Sequence, residues 1–166
     1  MILQHYRERD HAKNTTRLLQ LAIPEVDVRV VEAGSDLTRS LRAPHDGHIA
    51  VFFPTAHSRP LERNLSEFAA NRYRKLVFLD GSWKQASGMA QSLSQYPLLD
   101  FFHFDNPPPS HYQIRHTRQP CALSTIEAVT LVLETAFSID SRPLIDLLDG
   151  FQQQWRGPAS HRRSID

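Results

Sequence analysis

"LVFLDGSW", residues 76–83, is a short apolar run that halts on an acid, a glycine, a hydroxyl and a large aromatic. With Lys75 it opens as "KLVFL" (75–79), which reads as a buried strand rather than a helix, because it is short and bounded at once by turn residues. Runs of the same kind recur along the chain. "VDVRVV" (26–31) alternates like a strand before the Gly34-Ser35-Asp36 turn, "HIAVFF" (48–53) is a buried strand ended by Pro54, and "LLDFFHF" (98–104) precedes the rigid Pro107-Pro108-Pro109 loop. Segments with helical spacing lie between them. "KNTTRLLQLAI" (13–23) closes at Pro24, residues 60–71 carry Leu61, Leu65, Phe68 and Ala69, and 82–93 continue from the acid-glycine turn, with Gly88 costing about 1 kcal/mol relative to alanine. A helix from Ser124 onward is announced by "STIE", a capping box in which Ser124 and Glu127 serve each other's backbone amides, and a last helix is expected over 143–155. Strands alternating with helices predict an α/β fold, a mostly parallel sheet with helices on both faces.

At 166 residues the chain is about one domain long, expected over 1–155, with a basic tail at 156–166 that has no pattern to order it. No apolar run approaches the ~20 residues needed to cross a bilayer, and "MILQHYRERD" turns polar too soon for a signal peptide, so a soluble, cytoplasmic protein without membrane contact is expected. The single cysteine, Cys121, excludes an internal disulfide and a cysteine-rich zinc site. None of the nine histidines forms an HxxxH-type pair, so no metal is expected. The net charge of +1 is too small to announce a nucleic-acid partner, yet three stretches are locally basic: "HYRERDHAKNTTR" (5–17), "HYQIRHTR" (111–118) and "SHRRSID" (160–166). Any one of them alone is most simply a solvated face.

In a parallel sheet, ligands sit beyond the carboxyl ends of the strands. Three strand ends are chemically loaded: "FFPT" (52–55), "LDGSW" (79–83) and "CALST" (121–125). Each piece also has an ordinary explanation. Asp80-Gly81 is a common turn dipeptide, Trp83 can fill a core, Ser124 and Glu127 are accounted for by capping, and Pro54-Thr55 by a strand stop. Gln4, His5, Arg7 and Glu8 crowd the chain start and either form a solvated face or line a crevice. Residue patterns therefore lead to an α/β domain with a candidate ligand crevice and a patchily basic surface.

"LDGSW" resembles the Asp-x-Thr-Trp signature of the DTW-domain proteins, with Ser82 keeping the hydroxyl of the usual threonine. Three more blocks follow the family's order: the Gln-His-x-x-Glu-like "LQHYRERDHAKNT" (3–15), "YQIR" (112–115) and "LSTIEA" (123–128). The resemblance implies a SPOUT-like α/β fold with a C-terminal trefoil knot. It also implies an enzyme that moves the 3-amino-3-carboxypropyl group of S-adenosyl-L-methionine to N3 of a tRNA uridine, releasing methylthioadenosine. Asp80 is then the catalytic candidate, as general base for N3 or as a group that orients the cofactor. By similarity, Pro54, Thr55, Leu79, Gly81, Ser82, Trp83, Leu123, Ser124, Thr125 and Glu127 would wrap the cofactor. His5, Arg7, Arg9, Lys13, Tyr112, Arg115, His116 and Arg118 would contact the tRNA, with Tyr112 or His5 stacking on a base. Two other readings stand beside this one: a SPOUT-like RNA methyltransferase, and a non-catalytic RNA-binding relative. Many relatives carry a cysteine-rich, zinc-binding segment ahead of the Gln-His block. Here the block opens the sequence, either as a compact version or with that segment upstream, and RNA specificity is what that difference bears on.

Overall fold

A computed structural model describes residues 1–32, 34–41, 48–71, 73–114, 119 and 122–157, and divides the chain into two compact units. Unit 1 comprises Met1–His11 and Glu25–Asp105. Its six strands are β1 (Ile2–His5), β2 (Val28–Val31), β3 (Ile49–Phe52), β4 (Arg59–Pro60), β5 (Lys75–Asp80) and β6 (Leu99–His103). All neighbouring pairs are parallel, in the order β2-β1-β5-β3-β6-β4. The expected parallel α/β architecture is thus present.

The period-2 alternation of side chains sorts this sheet into two faces. Leu3, Val51, Phe53, Val77, Leu79 and Phe101 form one core with Leu37 and Leu41 of α2 (Leu37–Leu41) and Ala86, Met89, Ala90 and Leu93 of α4 (Trp83–Leu93). On the opposite face Phe52 stacks on Phe78 at 4.9 Å, and Phe68 of α3 (Leu65–Asn71) meets Phe102 edge-on at 5.3 Å. Helices therefore cover both faces. Such aromatic pairs each contribute about 0.5–1.5 kcal/mol beyond the area they bury.

Several elements depart from expectation. Ile2–His5 is a strand next to the centre of the sheet, although only Ile2 and Leu3 are apolar in a way a periodicity reading can use; pairing with both β2 and β5 supplies what the pattern lacks. The strand at 75–79 extends to Asp80, whose partner in register is Gln4, so the acid belongs to the sheet and not to the turn after it. Leu37–Leu41 and Arg59–Pro60 are elements too short for any periodic signal, and the helix expected from residue 60 begins at Leu65.

Unit 2 comprises Ala12–Pro24 and Asn106–Asp166. Its helices α1 (Thr16–Ala22), α5 (Thr125–Phe137) and α6 (Arg142–Gln153) pack on one another through buried residues that include Leu18, Leu19, Ile126, Val129, Val132, Leu144 and Leu148. Ser124 and Glu127 form the expected capping box on α5, and a proline in the first turn of α6 starts that helix with φ already set. The tail from residue 158 lies outside the described residues.

Candidate functional site

Within unit 1 the carboxyl ends of β1, β5, β3 and β6 bring together most of the chemistry. Asp80 closes β5 and is 7% exposed. One of its carboxylate oxygens accepts a 2.8 Å hydrogen bond from Gln4 Nε2, a contact that the parallel register makes inevitable once both residues point to the same face. Gln4 is buried as well, so the amide both satisfies and aims the acid. Sequence reasoning left Gln4 among the residues at the chain start; only the pairing of β1 with β5 shows its partner.

After Asp80 the chain leaves the sheet and enters α4. Ser82 is the N-cap: its Oγ accepts from Gln85 N, while Gln85 Oε1 accepts from Ser82 N at 2.6 Å. The Ser82 hydroxyl oxygen thereby serves the helix start, a task threonine can also perform. Gly81 is crowded: a Cβ there would lie 3.0 Å from Gln85 Cβ, so the side chain that completes the cap would have to give way by a few tenths of an ångström. Trp83, 40% exposed, does not plug the core; its ring lies 5.1 Å from Phe53 and leaves an aromatic surface open on the rim. Leu79 is buried in the sheet's core.

The loop after β3 holds a second polar group. Ser58 Oγ accepts from Thr55 N at 2.8 Å, donates to Thr55 O at 2.9 Å and lies 2.9 Å from His103 Nδ1, at the end of β6. With its single proton directed to the Thr55 carbonyl, the Ser58 hydroxyl fits a His103 that donates from Nδ1 and presents Nε2 as an acceptor; a hydroxyl turned toward the ring would fit the opposite tautomer. The expected result is an Nδ1-protonated neutral ring by nitrogen NMR at alkaline pH. Ser58→Ala should populate both tautomers and cost about 1 kcal/mol of stability. An unchanged ring-nitrogen pattern in that variant would remove Ser58 as the determinant. Pro54 is exposed beside this group, and no sequence pattern marked Ser58 or His103.

Just beyond β1, His5 caps a 3-10 turn (Tyr6–Glu8), accepting from Arg7 N through Nδ1 at 3.3 Å. Arg7 and Arg9 are exposed; Arg9 pairs with Asp10 at 3.0 Å.

In unit 2, Glu127 is buried and both its oxygens are engaged: Ser124 N at 2.7 Å, Ser124 Oγ at 2.6 Å, Ser110 Oγ at 3.0 Å and His111 N at 2.6 Å all donate to it. Leu123, Ser124 and Thr125 lead into α5, half-buried. Leu123 and Glu127 also line a cleft of about 150 Å³, with Pro108, His111, Thr130 and Ile145 on its other walls. Two residues expected on an RNA-facing surface are interior instead. Tyr112 is 5% exposed with its hydroxyl donating to Lys13 O, and Lys13 is 9% exposed with its ammonium 5.5 Å from the Trp155 ring. An apolar ring with one satisfied hydroxyl is well placed in a core, and this one is not presented for stacking. Arg115, His116 and Arg118 lie outside the described residues.

Among the described residues no group of three or more His, Cys, Asp or Glu is placed to hold a metal ion, and no helix is long and apolar enough to cross a membrane. Comparisons with curated proteins and with solved structures return no match. The family model described as the DTW domain matches residues 1–156. With that match running from the first strand through α6, the chain belongs to the DTW-domain family.

Proposed function

We propose that this protein is an S-adenosyl-L-methionine-dependent tRNA-uridine aminocarboxypropyltransferase that modifies uridine N3. Membership of the DTW family supports a tRNA-modifying enzyme in general. The observation that carries the finer reading is the buried hydrogen bond between Gln4 and Asp80. It joins the Gln-His block to the Asp-x-Ser-Trp block across 76 residues of chain, at the carboxyl end of a central parallel strand where such sheets bind ligands. The knotted SPOUT-like topology and a cytoplasmic location belong to the same proposal; the all-parallel sheet is consistent with a SPOUT-like fold.

The residues of this rim suit such a cofactor. A buried carboxylate complements a cationic ligand, the open face of Trp83 beside Phe53 suits an adenine ring, and Gly81 keeps the turn between them free of a side chain. The cofactor, when bound, supplies an electrophilic Cγ and a thioether leaving group. The chain's own part is to present and aim. Gln4 fixes the Asp80 carboxylate, which either accepts the N3 proton of the uridine or orients the ligand's positive charge; Ser82 and Gln85 hold the start of α4 so that Trp83 keeps its place. Arg7, at the exposed end of β1, supplies positive charge for the RNA backbone.

Incubation with labelled cofactor and bulk tRNA, followed by mass spectrometry of nucleosides and by-products, tests the proposal. The expected products are methylthioadenosine and a uridine heavier by the aminocarboxypropyl group. S-adenosylhomocysteine with a methylated nucleoside would replace this reading by a methyltransferase; no product would leave an RNA-binding protein.

A further inference from the structure

Tyr6 follows the last residue of β1 and stands out against its neighbours. It is 38% exposed in a turn whose third residue, Glu8, is buried, so the turn drives Glu8 inward and Tyr6 and Arg7 outward. The His5 ring lies 4.7 Å from the Tyr6 ring at 34°, and it is held there because its Nδ1 caps the turn. Arg7 Cζ is 5.5 Å from the Tyr6 centroid, and Arg7 Nε donates to the Tyr6 hydroxyl at 2.9 Å. Among the described residues no carboxylate pairs with Arg7, and its terminal guanidinium nitrogens make no hydrogen bond. An exposed aromatic ring with an ordered ring beside it and an unneutralised guanidinium at its edge has the composition of a nucleotide subsite: π-surface for a base, N–H donors for the adjoining phosphate.

We infer that Tyr6 is a nucleobase-stacking residue, receiving an unpaired base of the RNA while Arg7 contacts its phosphate. The inference rests on the RNA-modifying reading above and adds to it the surface on which the RNA is seated. The location is consistent with that use, because His5 directly follows Gln4, the partner of Asp80, so a base stacked on Tyr6 belongs to a nucleotide close to the one undergoing reaction. Ordering the platform before binding matters: the 3-10 turn, the histidine cap and the Tyr6–Arg7 bond leave less side-chain entropy to lose on contact.

Binding of bulk tRNA by Tyr6→Ala, Tyr6→Phe and Tyr6→Trp, measured by fluorescence anisotropy, tests this, with calorimetric titration of S-adenosylmethionine and circular dichroism on the same variants. Tyr6→Ala is expected to weaken tRNA binding by about tenfold with cofactor binding and fold unchanged, because loss of one base stack has roughly that size. Tyr6→Phe and Tyr6→Trp should keep most of the affinity, losing only the small part owed to the ordering bond between the Tyr6 hydroxyl and Arg7. The Tyr6→Ala defect should persist as salt is raised, whereas an Arg7→Ala defect should shrink, since only the phosphate contact is screened. Wild-type affinity in Tyr6→Ala, or an equal loss in the phenylalanine and tryptophan variants, overturns the stacking role while leaving the enzyme reading intact. Failure of the wild-type protein both to bind tRNA and to modify it overturns that reading and the stacking role with it.

Discussion

Asp80→Asn is expected to reduce aminocarboxypropyl transfer by about a hundredfold or more, the lower end of what a positioned general base contributes, while the protein stays folded. Asparagine keeps the volume of aspartate and an oxygen able to accept from Gln4 Nε2, so the sheet pairing of β1 with β5 survives. What is lost is the charge. Two roles for that charge make different forecasts. If Asp80 takes the proton from uridine N3, cofactor affinity measured by calorimetry stays near wild type while methylthioadenosine release collapses. If Asp80 holds the cofactor's positive charge, affinity and release fall together. Release at the wild-type rate would eliminate Asp80 from both roles and move attention to other acceptors on the same rim, of which His103 Nε2 is one by the tautomer argument.

The position of Asp80 also marks the boundary between what residue patterns disclose and what they do not. Apolar runs at 48–53, 75–79 and 98–104 are strong enough to announce strands, and the capping box at Ser124 announces α5, because these signals are local. A four-residue strand such as Ile2–His5 carries no period of its own. It becomes a strand because two neighbours accept its backbone, and that information lies dozens of residues away. The Gln4–Asp80 bond inherits the same invisibility, since it follows from register. Ser58 and His103 meet for the same reason: β4, which starts just after Ser58, pairs with the end of β6 although the residues are 45 positions apart.

Exposure is hidden from composition for a related reason. Tyr112 and Lys13 sit in locally basic stretches, and composition alone reads such stretches as surface. The hydroxyl of one finds the carbonyl of the other, and both are drawn inside. Tyr6, between a histidine and an arginine in an equally basic stretch, stays out because the 3-10 turn buries Glu8 in its stead. Charge density along the chain thus cannot tell which aromatic residue is exposed; the local backbone decides it.

The motif blocks fold as two pairs, and the second pair yields the largest expected effect on stability. Gln4 meets Asp80 in unit 1; in unit 2, Glu127 of the "LSTIEA" block accepts from His111 N and Ser110 Oγ, and Ser110 Oγ in turn accepts from Tyr112 N at 3.1 Å, where "YQIR" begins. Glu127→Ala removes the acceptor for four donors at once and dissolves the capping box of α5, so the free energy of chemical unfolding should fall by about 3 kcal/mol, several charged hydrogen bonds offset in part by water reaching the half-buried donors. Glu127→Gln discriminates cap from loop. Its single oxygen is best used where the Oε2 atom receives Ser124 N, Ser124 Oγ and Ser110 Oγ, which turns the amide toward His111 N and sets two donors against each other. The loss should then be about 1–2 kcal/mol, with amide exchange accelerated at His111 and not at Ser124. Stability equal to wild type in Glu127→Ala would mean that the loop before "YQIR" is held by other contacts. An effect on S-adenosylmethionine affinity in a fully folded Glu127→Gln protein would instead return the carboxylate to the ligand, where the family's pattern had suggested it.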